Sequence, residues 1–289
     1  MIDRRSFLAS ALVGASAACG RAVLAVAADR GQPLEVTLRE LEDGDRVGIH
    51  VIDTATGREF GHRSDERFLM LSSFKTLACA LVLHRADAGE ETLERRIRYT
   101  PADLVSWSPV TEKHVDGPGL TLAELCEATL TTSDNTAANL ILSSFGGPPA
   151  LTAYLRRLGD TVTRLDRTET ALNTGHADRL LDTTTPRAMA QTVRTLLLGN
   201  ALTEASRTRL VRWMQANSTG ARRLRSGLPA GWRIAEKTGT SDTGANDVGV
   251  LWPPGAAPVV VAAYVAESTA PVVEREAKIS AVARLVTGQ

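Results

Sequence analysis

Trp232-Arg233-Ile234-Ala235-Glu236-Lys237, Val248-Gly249-Val250-Leu251-Trp252 and Val259-Val260-Val261-Ala262-Ala263-Tyr264-Val265-Ala266 succeed one another near the end of the chain. Each is rich in β-branched and aromatic residues and bounded by turn formers, so they read as three strands. A helix follows, from about Val272 to Val286. Far upstream, Val47 to Asp53 has the same strand character, Thr54 to Gly57 reads as a turn, and Arg58 to His62 returns as a hairpin partner. Between these two groups the apolar spacing changes to that of helices: a stretch opening at Ser72, then Leu122 to Leu130, Thr136 to Phe145, Ala150 to Leu158 and Pro186 to Leu198, where Pro186 suits a first turn. Ahead of everything, Leu34, Leu38 and Leu41 mark an amphipathic helix over Pro33 to Leu41. A sheet split in sequence by a helical insertion implies an α+β fold. Its antiparallel five-stranded sheet is flanked by N- and C-terminal helices, with an inserted all-helical lobe on the other face. The α/β lobe takes residues 29–64 plus 220–289 and the helical lobe 65–219, a single unit over 29–289 with a cleft between its lobes.

Length and composition narrow the class. The 289 residues, 43% hydrophobic, can bury a substantial core. Lys and Arg number 33 and Asp and Glu 33, so the formal charge is zero and no footprint for phosphate backbones exists. No nucleic-acid partner is expected, and a monomer is. Residues 1–28 read as a targeting segment, not as fold: Arg4-Arg5-Ser6-Phe7-Leu8 precedes a small-residue apolar run, and Ala25-Val26-Ala27 offers a cleavage site. Paired arginines before Ser-Phe-Leu resemble the twin-arginine export signal, with an ordinary secretory signal as the other reading. Arg21 interrupts the apolar run, whereas spanning a bilayer takes roughly 20 apolar residues. The expectation is therefore an exported protein, periplasmic or secreted, without stable membrane insertion after processing. Lipid attachment at Cys19 is left open.

Export bears on the cysteines. With Cys19 inside the targeting segment, Cys79 and Cys126 are the only pair left in an oxidising compartment. Cys79 lies seven residues after Ser72 and Cys126 seven before Ser133, so each sits two helical turns from its serine. If the two serines meet, the cysteines arrive at one depth, and a disulfide closing about 47 residues contributes about 4 kcal/mol in the chain-entropy account. Two buried free thiols are the alternative.

Three short motifs carry chemistry. Ser72-Ser73-Phe74-Lys75 places a hydroxyl and an amine on one helical face. Ser73 has Thr76, not an amine, three residues on, which favours Ser72 as the nucleophile. Ser133-Asp134-Asn135 adds a hydroxyl that can carry a proton and a side-chain amide; Asp134 reads as a helix cap. Lys237-Thr238-Gly239 puts a cation and a hydroxyl on a strand edge, where a substrate carboxylate can lie. The five histidines, His50, His62, His84, His114 and His176, show no close pair suited to a metal, and neither metal nor other cofactor is expected.

Together the motifs resemble the signature of class A serine β-lactamases and their penicillin-binding relatives. The resemblance runs from about Asp29 to the C-terminus and includes a fourth element, Arg167-Thr168-Glu169-Thr170-Ala171-Leu172-Asn173. It implies a loop over the cleft in which Glu169 and Asn173 hold a water and Arg167 pairs with Asp182. Ser72 is then the acylated residue, its backbone N–H and that of Thr240 form the oxyanion hole, and Lys75 moves protons between Ser72 and Ser133. Ser133 protonates the departing nitrogen, since an amide anion leaves poorly. Asn135 meets the substrate's side-chain amide. Lys237, Thr238 and Thr240, with Ser241, face its carboxylate. Arg223, within Arg222-Arg223-Leu224-Arg225, aligns with an arginine supporting that carboxylate; other members carry it on the following strand, where this chain has Asn246-Asp247. Trp107 resembles the aromatic walling the cleft entrance. The implied activity is hydrolysis of penicillins and cephalosporins. A D-alanyl-D-alanine peptidase and a penicillin-sensing module share the acylation machinery, and Glu169 argues against both. Substrate profile, inhibitor sensitivity and the choice of Lys75 or Glu169 as acylation base stay open. Leu71 and Ser241 stand where one carbapenem-hydrolysing subgroup has bridged cysteines.

Overall fold

A computed structural model describes residues 36, 39–175 and 180–289. The targeting segment, most of the expected helix over 33–41, and His176 lie outside the described residues. The strands are β1 (Arg46–Asp53), β2 (Glu59–His62), β3 (Phe68–Leu69), β4 (Arg96–Ile97), β5 (Leu120–Thr121), β6 (Thr183–Thr184), β7 (Arg233–Thr240), β8 (Ala245–Trp252) and β9 (Val259–Ala266). The helices are α1 (Phe74–Asp87), α2 (Leu122–Thr131), α3 (Asn135–Ser144), α4 (Gly147–Arg157), α5 (Pro186–Leu197), α6 (Glu204–Gln215) and α7 (Val272–Thr287).

Five strands form the main sheet in the order β2-β1-β9-β8-β7, every neighbour antiparallel. The β1–β2 turn closes because Asp53 accepts from the Ala55 N–H at 2.9 Å and the Thr56 hydroxyl at 2.8 Å, with Gly57 at φ +73°. Strand β9 serves two cores through its period of two. Val259, Val261, Ala263 and Val265 pack with Ile279, Val282 and Val286 of α7, while Val260, Ala262 and Tyr264 join Phe74, Leu77 and the helical lobe. A strand buried on both faces needs the unbroken apolar run that its sequence shows.

Helix α1 runs through the middle of the helical lobe, buried at every residue from Phe74 to Leu83. A helix apolar all round belongs inside. Its neighbours are stopped and started by side chains: Thr121 and Glu124 form a capping box on α2, Asp134 caps α3, and Thr185 caps α5 ahead of Pro186. Cys79 of α1 and Cys126 of α2 meet at full burial, which the spacing predicts, but the bridge is not formed. Both are free thiols, and the Cys79 thiol donates to the Cys126 carbonyl at 3.8 Å. A thiol given an acceptor inside an apolar core packs as a small hydrophobe, and burial pushes the Cys79 thiol well up, so it stays protonated.

Candidate active site

Ser72 lies in the 3₁₀ turn Leu71–Ser73 that leads into α1. One turn on, the Lys75 ammonium reaches its Oγ at 2.9 Å. Ser133 occupies the sharp turn between α2 and α3 at φ +62°, a conformation held by its neighbour. The Asp134 carboxylate accepts from the N–H groups of Ala137, Val110 and Thr111 at 2.8–3.0 Å, tying that turn to the segment carrying Trp107. The motif's acid is therefore structural, as a helix cap should be. Lys237 projects from β7 and donates to Ser133 Oγ at 3.1 Å, while Lys75 reaches the same oxygen at 3.2 Å. Two buried lysine amines thus flank one hydroxyl.

Glu169 arrives from the loop after α4 and is only 4% exposed. Its Oε1 accepts from Ser72 Oγ at 3.2 Å and lies 3.0 Å from Lys75 Nζ, and its Oε2 accepts from the Asn173 amide at 2.6 Å. The loop's ends are joined where Arg167 Nε donates to Asp182 at 2.5 Å; that same carboxylate accepts from the Asp166 and Arg167 N–H groups at 2.8 and 2.9 Å. Asn139 of α3 grips Glu169 by its main chain, accepting from the N–H and donating to the carbonyl at 2.9 Å each. Sequence reading missed Asn139, whose role exists only once the loop folds over α3.

Burial lowers the Lys75 ammonium below its usual range, against the pull of the Glu169 carboxylate. Yet Ser133 O at 2.9 Å and Asn135 Oδ1 at 2.5 Å, which only accept, surround it, the environment of a charged donor. Lys237 is pushed well down by burial, then by Lys75 and Arg223. Behind it, burial and the Asp247 charge raise Glu236 well up, and burial raises Asp247. Arg225 donates to Glu236 at 2.8 Å.

Above the buried group opens a cleft of about 430 Å³, lined by Ser72, Trp107, Ser133, Asn135, Asn173, Arg223, Thr238 and Thr240 among others. Trp107 is 63% exposed at its mouth, its indole N–H donating to the Thr132 carbonyl. Arg223, not Arg222 or Arg225, is the arginine in the cleft, donating to Thr240 Oγ1, the Gly239 carbonyl and the Asn246 carbonyl at 2.7 Å each. Its Nε faces Glu276 of α7 at 3.3 Å, a cleft residue that the motifs do not announce. The Asn135 amide nitrogen donates to the Ser106 carbonyl at 2.8 Å. Ser241 stands apart: it lines a neighbouring cavity of about 890 Å³, which Asn173 also borders.

The family model for the β-lactamase enzyme family matches residues 33–289. A β-lactamase of Streptomyces fradiae is 49% identical over 271 residues, covering 90% of this chain and 88% of that one. The β-lactamase OXY-2 of Klebsiella oxytoca is 44% identical over 254 residues, 88% of this chain and 87% of its own. Among solved structures, an ancestral class A β-lactamase (GNCA) superposes with a TM-score of 0.86 at 57% identity, covering 88% of this chain and 98% of that one. With a serine, two lysines and a loop glutamate converging on one pocket of that same fold, the chain belongs to the class A β-lactamase family.

Proposed function

We propose that the protein hydrolyses the β-lactam ring of penicillins and cephalosporins through an acyl-enzyme on Ser72. The observation that carries this reading is the Glu169 carboxylate, buried, 3.2 Å from the nucleophile and held by Asn173. A peptidase or a penicillin sensor needs the acylating serine but no second base.

The contacts support Glu169 as the acylation base, because it accepts the Ser72 hydroxyl directly while Lys75 faces acceptors on every side. In that scheme the Ser72 proton passes to Glu169 and Oγ bonds to the lactam carbonyl carbon. The carbonyl oxygen takes the negative charge against the N–H groups of Ser72 and Thr240. The C–N bond then breaks, Ser133 gives its proton to the nitrogen, and Lys75 or Lys237 restores it. Glu169 then passes the proton it took from Ser72 to the lysine pair that reprotonated Ser133, Lys75 lying 3.0 Å away, and is a carboxylate again. For release, a water held by Glu169 and Asn173 gives a proton to that carboxylate and bonds to the ester carbonyl carbon; the bond from that carbon to Ser72 Oγ breaks, and Oγ takes the proton back from Glu169. Thr238, Thr240 and Arg223 receive the substrate carboxylate beside the cleft's cations, and Trp107 closes its entrance. Export by the twin-arginine route, on the Arg4-Arg5 pair, and action as a single monomeric unit over 29–289 complete the proposal.

Purified protein should turn over nitrocefin and benzylpenicillin many times per active site, and Ser72→Ala should abolish acylation. A single stoichiometric burst without turnover would replace this reading by the sensor or peptidase.

A further inference from the structure

Leu71, immediately before the nucleophile, sits at φ +49°, a left-handed conformation unfavourable for a branched side chain. Something must hold it there. The two carbonyls upstream point into β8: the Asn246 side-chain amide donates to Met70 O at 2.8 Å and to Leu69 O at 3.3 Å. Met70 O also accepts from the Ser73 N–H at 3.1 Å and the Ser73 hydroxyl at 2.7 Å, so one carbonyl ties sheet, turn and helix start together. Asn246 is 1% exposed and its Oδ1 has no hydrogen-bond partner among the described residues, so the amide nitrogen carries its polar role. Gly239 completes the junction. A Cβ there would lie 2.2 Å from Asn246 Oδ1 and 2.7 Å from Leu71 Cβ, so glycine alone lets β7 approach the turn this closely.

We propose that Asn246 is a positioning residue for catalysis, its amide clamping the Leu69–Met70 carbonyls to β8 and thereby fixing where the Ser72 N–H and hydroxyl point relative to β7. The inference rests on the acyl-enzyme reading. Oxyanion stabilisation depends on donors fixed before the charge develops, and a displacement of about 1 Å at a reacting group costs about a hundredfold in rate. The same main chain of Asn246 accepts from Arg223, so the clamp also registers the cleft's arginine to the nucleophile.

The test is Asn246→Ala, with Asn246→Ser as the fallback if the alanine variant does not fold, assayed with nitrocefin and with phenylboronic acid, which forms a tetrahedral adduct on a reactive serine. The clamp predicts a kcat lower by about tenfold to a hundredfold with KM little changed, and a boronate inhibition constant raised in step. A variant with a lowered Tm but wild-type kcat and boronate affinity would make Asn246 a stability residue only and overturn the proposal; so would a variant unchanged in all three. Wild-type protein that fails to turn over nitrocefin at all would instead overturn the acyl-enzyme reading on which the clamp rests.

Discussion

At the scale of single residues, the roles proposed for Glu169 and Ser72 can be separated by mutation. If Glu169 activates the hydrolytic water, Glu169→Ala should still acylate slowly yet release nothing. Mass spectrometry after incubation with benzylpenicillin would then find the intact adduct, and unimpaired hydrolysis without one would remove Glu169 from that role. Arg223 offers a second test. Its Nε is shared with Glu276, which competes with any substrate carboxylate for the same guanidinium. Glu276→Gln should lower KM for penicillins by a few fold at unchanged kcat, read from steady-state kinetics at low salt. The side chains that meet in the pocket were legible in sequence because short motifs fix Ser72 to Lys75 and Glu169 to Asn173. Asn139, Asn246 and Glu276 were not, since each touches a partner between 30 and about 180 residues away and no local spacing encodes that.

At the scale of elements, the loop carrying Glu169 is tied at its neck by Asp182, fully buried, against Arg167 and two main-chain N–H groups. Breaking a buried pair from one side strands the other charge. Asp182→Asn should lower stability by about 3 kcal/mol in urea titration and depress deacylation more than acylation, since release needs both Glu169 and Asn173 of this loop whereas acylation needs only Glu169. Most elements could be read from periodicity, and the errors have physical causes. Helix α6, Glu-Ala-Ser-Arg-Thr-Arg-Leu-Val-Arg-Trp-Met-Gln, escaped because charges crowd it and its buried side is narrow: Ser206, Leu210, Trp213 and Met214. The ladders β3–β6 and β4–β5 have two residues per strand, too few to display a period. The unformed disulfide marks another limit: spacing can bring two cysteines to one depth without bonding them.

For the whole molecule, one pH-dependent contribution to stability comes from the cluster around His50. His50 is fully buried, between Glu59 Oε2 at 3.0 Å and Ser64 Oγ at 3.1 Å, with Arg187 also on Glu59 and Asp65. Burial first, and Arg187 second, lower its pKa below 6.5, against the pull of Glu59 and Asp65. The folded chain thus keeps His50 neutral where the unfolded chain protonates it, so its contribution to stability declines as pH falls below about 6.5. A further loss comes lower, where Glu42, held down to about 2 by Arg63, regains its proton between about 4.5 and 2. Between pH 8 and 5 the Tm of wild type should fall relative to that of His50→Gln; parallel curves for the two would assign the effect elsewhere.

Strand β9 lies third in the sheet, yet it is the last strand to leave the ribosome, and both of its neighbours, β1 and β8, must wait for it. Until residue 266 emerges, the N-terminal hairpin and the β7–β8 hairpin each present an unpaired rim of N–H and C=O groups. Assembly of this sheet consequently waits for β9, and a chain interrupted before Val259 would leave two sticky half-sheets in place of a smaller folded protein.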